Sequence, residues 1–93
     1  MYEVIVPKSV IKEIKKLEKP VVQKVRKAIE EIAENPYLGE PLKGDLSDIR
    51  KWIIKVQGIQ YRIAYEIYED RVEVKIILIG TRENFYNELK RRL

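Results

Sequence analysis

The stretch "GIQYRIAYEIY", residues 58 to 68, decides the fold. It alternates with the period of a β-strand, so Tyr61, Ile63, Tyr65 and Ile67 share one face while Arg62, Ala64, Glu66 and Tyr68 share the other. The first set is what a sheet buries. It has strand-like neighbours on both sides. In "RKWIIKV", residues 50 to 56, Trp52, Ile54 and Val56 alternate with Lys51, Ile53 and Lys55. In "RVEVKIILIG", residues 71 to 80, Val72, Val74, Ile76 and Leu78 alternate with Glu73, Lys75, Ile77 and Ile79, and Gly80 breaks the pattern. The short polar "YEDR" between the last two strands predicts a hairpin.

Upstream, residues 2 to 6 form a short strand that Pro7 ends. Ser9 is positioned to cap a helix carrying Val10, Ile14 and Leu17 at helical spacing. Pro20 suits the first turn of a second helix, with Val21, Val25, Ile29 and Ile32 as its apolar stripe. Asn35-Pro36 stops it, because the residue before proline avoids helical geometry. Two helices joined at "LEKP" read as an antiparallel hairpin. Residues 36 to 48, with two prolines and two glycines, read as a long loop. "RENFYNELKRRL" closes the chain as a helix with Phe85, Leu89 and Leu93 on one side, and its "KRR" at 90 to 92 reads as a solvated end that complements the helix dipole. The expected fold is α+β in the order β-α-α-β-β-β-α, one domain over residues 1–93. A small antiparallel-rich sheet carries the N-terminal helical hairpin on one face.

The composition narrows the chemistry. The 93 residues include no Cys and no His, and the carboxylates do not cluster with ligand spacing, so the expectation is no metal site and no cofactor. Phosphate-binding loops, dinucleotide fingerprints and serine-nucleophile motifs are missing. Catalysis would rest on Lys, Arg, Tyr or carboxylates. Neither a signal peptide nor a membrane span is legible, and a cytoplasmic protein without membrane contact is expected. Net charge is +4; residues 1 to 45 hold nine Lys or Arg against eight acids and residues 46 to 93 hold ten against seven.

With the hairpin on one sheet face, the other is expected to carry Lys51, Lys55, Arg62 and Lys75, with Arg82 arriving after the last strand and Tyr86 one helical turn later. Such a row is either a phosphate-binding surface or an ordinary solvated strand face. Arg62 has the further option of a surface ion pair with Glu66 or Glu73.

"PLKGDL", "QYRIAYEI" and "IGTRENFY", in this order and spacing, resemble the RelE/ParE superfamily of toxins from prokaryotic toxin–antitoxin modules, over essentially the whole chain. RelE-like members bind in the ribosomal A site and cut mRNA without a metal, the message supplying its own 2′-hydroxyl as nucleophile. The resemblance implies that Arg62 is a phosphate ligand, that Arg82 stabilises or protonates the leaving group, and that Tyr86 stacks on a base or transfers a proton. It also implies catalytic duty for Lys55 and places Lys43 where the family has a basic loop residue; Lys51 and Lys75 join it as RNA contacts. This chain departs from the pattern at Ile53, where RelE-like enzymes often have a second lysine. The implied partners are a RelB-like antitoxin, the ribosome and mRNA, with Ile53, Ile77 and Ile79 expected as an apolar anchor for the antitoxin. The alternative is a ParE-like toxin that poisons DNA gyrase and cuts no RNA.

Overall fold

The computed structural model describes residues 1–93. β1 (Glu3–Ile5) leads into α1 (Lys8–Lys15) and α2 (Lys19–Glu34). A two-residue β2 (Glu40–Pro41) precedes β3 (Ile49–Val56), β4 (Ile59–Tyr68), β5 (Glu73–Thr81) and α3 (Phe85–Arg92). The five strands form one sheet in the order β1-β5-β4-β3-β2, with β1 parallel to β5 and all other pairs antiparallel. The predicted α+β order and the helical hairpin on one face are both present. Inside the loop expected over residues 36 to 48, the chain makes two 3-10 turns, Pro36–Leu38 and Gly44–Leu46, as well as β2. Ser9 is not the cap of α1: the helix starts at Lys8 behind Pro7, with no side-chain cap. Proline at the start of α2 is as expected.

The β3–β4 hairpin closes through Gln57-Gly58, both left-handed at φ 52° and 81°, the two-residue turn whose twist matches antiparallel strands. It sets the register Lys55↔Gln60, Ile53↔Arg62 and Lys51↔Ala64. The β4–β5 pairing slips once. Ala64 faces Leu78 but Tyr65 faces Ile76, so Ile77 is an extra residue in β5. The bulge overturns part of the predicted alternation. Leu78, expected under the helical hairpin, lies on the opposite face, and Ile79 takes its place in the hairpin-side core with Val74, Ile76, Ile63 and Tyr65. The side chains of α1 and α2 complete that core with Val10, Val21, Val25, Ala28 and Ile32. Tyr65 is fully buried, and its hydroxyl donates to the Pro36 carbonyl at 2.6 Å, tying β4 to the end of α2.

The second face is not open, as the alternation alone implied. Phe85 and Leu89 of α3 pack on Ala64, Ile77, Leu78, Ile49 and Leu42 in a second core. Ile77 is buried under α3 and Ile79 under the helical hairpin, leaving only Ile53 of the expected apolar anchor exposed. Arg92 is not a solvated helix end either. Its guanidinium grips Glu13 of α1 through two bonds of 3.0 and 2.6 Å and donates to the Ile77 carbonyl at 3.2 Å. Glu13 holds the Arg92 guanidinium more firmly protonated than usual. At the far end the Tyr2 hydroxyl donates to Glu69, which pushes the tyrosine pKa up to about 12 and fastens the N-terminal segment to the β4–β5 connection.

Val72, expected as the first core residue of its strand, instead ends the turn at φ 51° with half its surface exposed. A β-branched residue in the left-handed region carries roughly 1–2 kcal/mol of steric strain. Val72→Gly is therefore expected to leave the fold intact and raise the melting temperature. Gly39→Ala should lower it, because a Cβ there would collide with the Tyr65 hydroxyl. Thermal melts of the two variants test the pair together.

Candidate functional site

The second face retains polar side chains where α3 does not cover it, towards β3. The register puts Lys51, Ile53 and Lys55 beside Ala64, Arg62 and Gln60, with Gly80 of β5 on the other side of Arg62. Arg62 is thus in the middle of the face. Lys55 and Arg82 line one hollow of about 630 Å³ together with Gln60 and Thr81. Lys43, Lys51 and Tyr86 line another of about 440 Å³ with Leu42 and Leu46. The Ile53–Arg62 row lies between the rows that feed these two hollows. Lys43, Lys55, Arg82 and Tyr86 are exposed, and Lys51 sits loosely beside Glu40 at 3.9 Å.

Arg62 differs from the rest. It is 9% exposed, and its Nε and Nη1 are buried without a hydrogen-bond partner. The expected solvated arginine is a buried one, because Phe85 packs beside Gly80, next to it on the sheet. The expected pairing with a nearby acid does not occur. Glu66 accepts from the Tyr68 hydroxyl at 3.4 Å, and Glu73 is held by Arg71 at 3.3 Å. Guanidinium N–H groups removed from water and left unpaired are costly, and an incoming anion relieves that cost. Its planar fork suits a phosphate.

Tyr86 is held by an edge-to-face contact with Phe85, 5.5 Å between ring centres at 87°. The turn delivering it runs through Asn84 at φ 58°. Lys75 does not join the group. It faces Glu66, four residues along β4 from Arg62, roughly 13 Å at strand rise. There it shares a separate hollow with Ser9, Glu66 and Arg92. Face parity alone made it appear part of the row. Gln60 and Thr81 went unremarked in the sequence, although the two-residue turn places Gln60 opposite Lys55.

A family model described as the ParE-like toxin of type II bacterial toxin–antitoxin systems matches residues 4–90. Among curated proteins, the mRNA interferase toxin RelE of Escherichia coli is 29% identical over 85 residues, covering 89% of this chain and 87% of its own length. A RelE-like toxin protein of Escherichia coli is 24% identical over 94 residues, covering 99% and 97%. Among solved structures, a free-state variant of Escherichia coli toxin RelE matches with a TM-score of 0.78 at 26% identity, over 99% of this chain and 97% of that one. The toxin in the intact Escherichia coli RelBE toxin–antitoxin complex matches at 0.73 and 28%, over 89% and 99%. No helix of the chain is long and apolar enough to cross a membrane.

The burial of Arg62 generates a test that separates function from folding. Arg62→Met keeps the volume and removes the unpaired charge, so it should raise stability by about 1 kcal/mol or more. Denaturant melts measure this directly, and a clear loss of stability would show that the guanidinium is held by partners after all.

Proposed function

The chain belongs to the ParE-like toxins of type II bacterial toxin–antitoxin systems, and from that premise we propose that it is a RelE-like, ribosome-dependent endoribonuclease. It cuts mRNA in the A site and is neutralised by a RelB-like antitoxin in the cytoplasm. The observation that carries this reading is Arg62, whose Nε and Nη1 are buried without a partner, between two cation-lined hollows. A gyrase poison acting through protein contacts has no need of such a group. The family description names ParE and favours the second reading, a gyrase-binding toxin that cuts nothing.

In the proposed reaction the 2′-oxygen of the message attacks the adjacent phosphorus and the bond from phosphorus to the 5′-oxygen breaks. The upstream fragment keeps a 2′,3′-cyclic phosphate and the downstream fragment leaves with a 5′-hydroxyl. The reaction needs one proton removed from the 2′-hydroxyl and one delivered to the leaving oxygen. Arg62 holds the non-bridging oxygens, where charge builds in the transition state. Arg82, which lines one hollow with Lys55, is assigned to the leaving group, and Lys55 and Tyr86 to proton transfer and base stacking. Lys43 and Lys51 steer the flanking backbone; Lys75 contacts it only if the strand continues past α3. Ile53, beside Arg62, leaves the site one cation short of the family pattern. The chemistry proposed requires no metal ion.

Single-turnover cleavage on programmed ribosomes, read by primer extension, tests the proposal. The wild type should cut within the A-site codon and leave cyclic-phosphate or 3′-phosphate ends. Arg62→Met should be slower by roughly a hundredfold or more, with Arg62→Lys intermediate because a point charge does not reproduce the fork. Upstream fragments ending in a 3′-hydroxyl would contradict internal attack. Inhibition of gyrase supercoiling without any RNA cleavage would transfer the assignment to the ParE-like reading.

A further inference from the structure

One edge of the sheet stands open. β2 pairs with Arg50 and Lys51 of β3, and no strand lies beyond residues 52 to 56 on that side. The Ile49 carbonyl accepts from the Leu42 N–H at 2.9 Å, so the backbone groups of Ile49 face the β2 side. Backbone groups alternate sides along an antiparallel strand. Those of Ile53 and Lys55 therefore face the gap, while those of Trp52, Ile54 and Val56 serve β4. No backbone bond outside the sheet ladder reaches Ile53 or Lys55.

The side chains along this edge carry a pattern. Lys51, Ile53 and Lys55 alternate on the face that holds Arg62. Ile53 is 41% exposed. Lys51 meets Glu40 loosely at 3.9 Å, and Lys55 pairs with no carboxylate. Where β2 ends, Tyr37, Leu38, Pro41, Trp52 and Ile53 line a hollow of about 560 Å³, and both Tyr37 and Leu38 are exposed there. Lysine is a common guard of open edges. A second copy of β3 laid along the gap would bring two lysine rows together, which disfavours self-pairing. The same two lysines attract an acidic strand.

We propose that the open edge of β3 takes an extended, acidic segment of the antitoxin as a further strand. Acidic side chains lie over Lys51 and Lys55, and an apolar one between them lies on Ile53. The proposal rests on the antitoxin part of the reading above and is independent of RNA cleavage. A polypeptide fits this edge better than RNA does. The edge presents N–H donors together with C=O acceptors, and a phosphate can only accept. The added strand continues the line of β2 along β3, two strand spacings or about 10 Å from β4. It therefore inhibits without touching Arg62, by withdrawing Lys51 and Lys55 from the face that Arg62 shares with them.

Amide hydrogen exchange of the full chain tests this, with saturating purified cognate antitoxin as the probe. In the free chain the Ile53 and Lys55 amides should exchange at least roughly tenfold faster than those of Trp52, Ile54 and Val56. Antitoxin should slow Ile53 and Lys55 by about tenfold or more. Ile53→Asp should weaken antitoxin binding by at least about tenfold, since it sets a like charge against the acidic segment. It should fold as the wild type does, because the side chain is exposed, and Ile53→Val should bind as the wild type does. An antitoxin that does not bind the wild type at micromolar concentration would overturn the partner reading and this surface together. Binding that leaves the Ile53 and Lys55 amides unprotected would overturn this surface alone, so the two failures are told apart. Protection that rises with toxin concentration in the absence of antitoxin would assign the edge to a second copy. Protection by single-stranded RNA and not by antitoxin would assign it to RNA. Either outcome overturns the proposal.

Discussion

One inserted residue, Ile77, controls how the rest of this molecule is assembled. Without it β5 would alternate strictly, and a single face of the sheet would receive Val74, Ile76 and Leu78. With it, the strand turns over between Ile76 and Leu78, so Ile79 enters the core under the helical hairpin and Ile77 and Leu78 both face α3. A small sheet thereby gains two apolar faces. The carbonyl of the bulged residue accepts from Arg92, which at the same time holds Glu13. The bulge, α1 and the end of α3 are thus fastened at one point, and this fixes where the start of α3 must lie. Phe85 lands beside Gly80, and Arg62 is covered as a consequence.

The covered arginine gives the site a mixed character. It stands on a central strand between Ile53 and Gly80, and its burial leaves the side chain little further freedom to lose when an anion arrives. Lys43, Lys55 and Arg82 remain exposed on flexible stems and can follow a substrate of varied sequence. In the proposed reaction, such a donor with adaptable ones around it would hold one phosphate accurately and its neighbours loosely.

Much of this was legible in the sequence. Period-two alternation placed three long strands, because β3 and β4 are unbroken and their apolar faces are regular. Proline positions and the apolar stripes located both helices of the hairpin. Alternation fails at the bulge, since one extra residue exchanges the faces of everything after it and leaves no local composition signal. The Phe85–Leu89 stripe was visible, but the platform it meets was hidden by the same slip, so the burial of Arg62 was hidden too. Lys75 was grouped by parity, which reports a face and not a position along it. Arg92 looked like part of a solvated basic tail because its partner, Glu13, lies 79 residues away in sequence. Val72 was assigned to a strand by alternation and is overruled by the turn it must close.

The cations sort into two kinds once their partners are known. Arg92, Arg91 and Arg71 are matched with Glu13, Glu88 and Glu73, and each joins or trims an element. Arg62 has no such match and stands where folding alone would disfavour it, with two of its nitrogens desolvated inside a sheet face. Hydrophobic burial on both sides of the sheet and the Arg92–Glu13 clamp supply the stability that tolerates this misfit. A chain with 37% charged residues has ample means to neutralise it and does not. A local rule broken without compensation inside the fold is the kind of departure on which the proposed function rests.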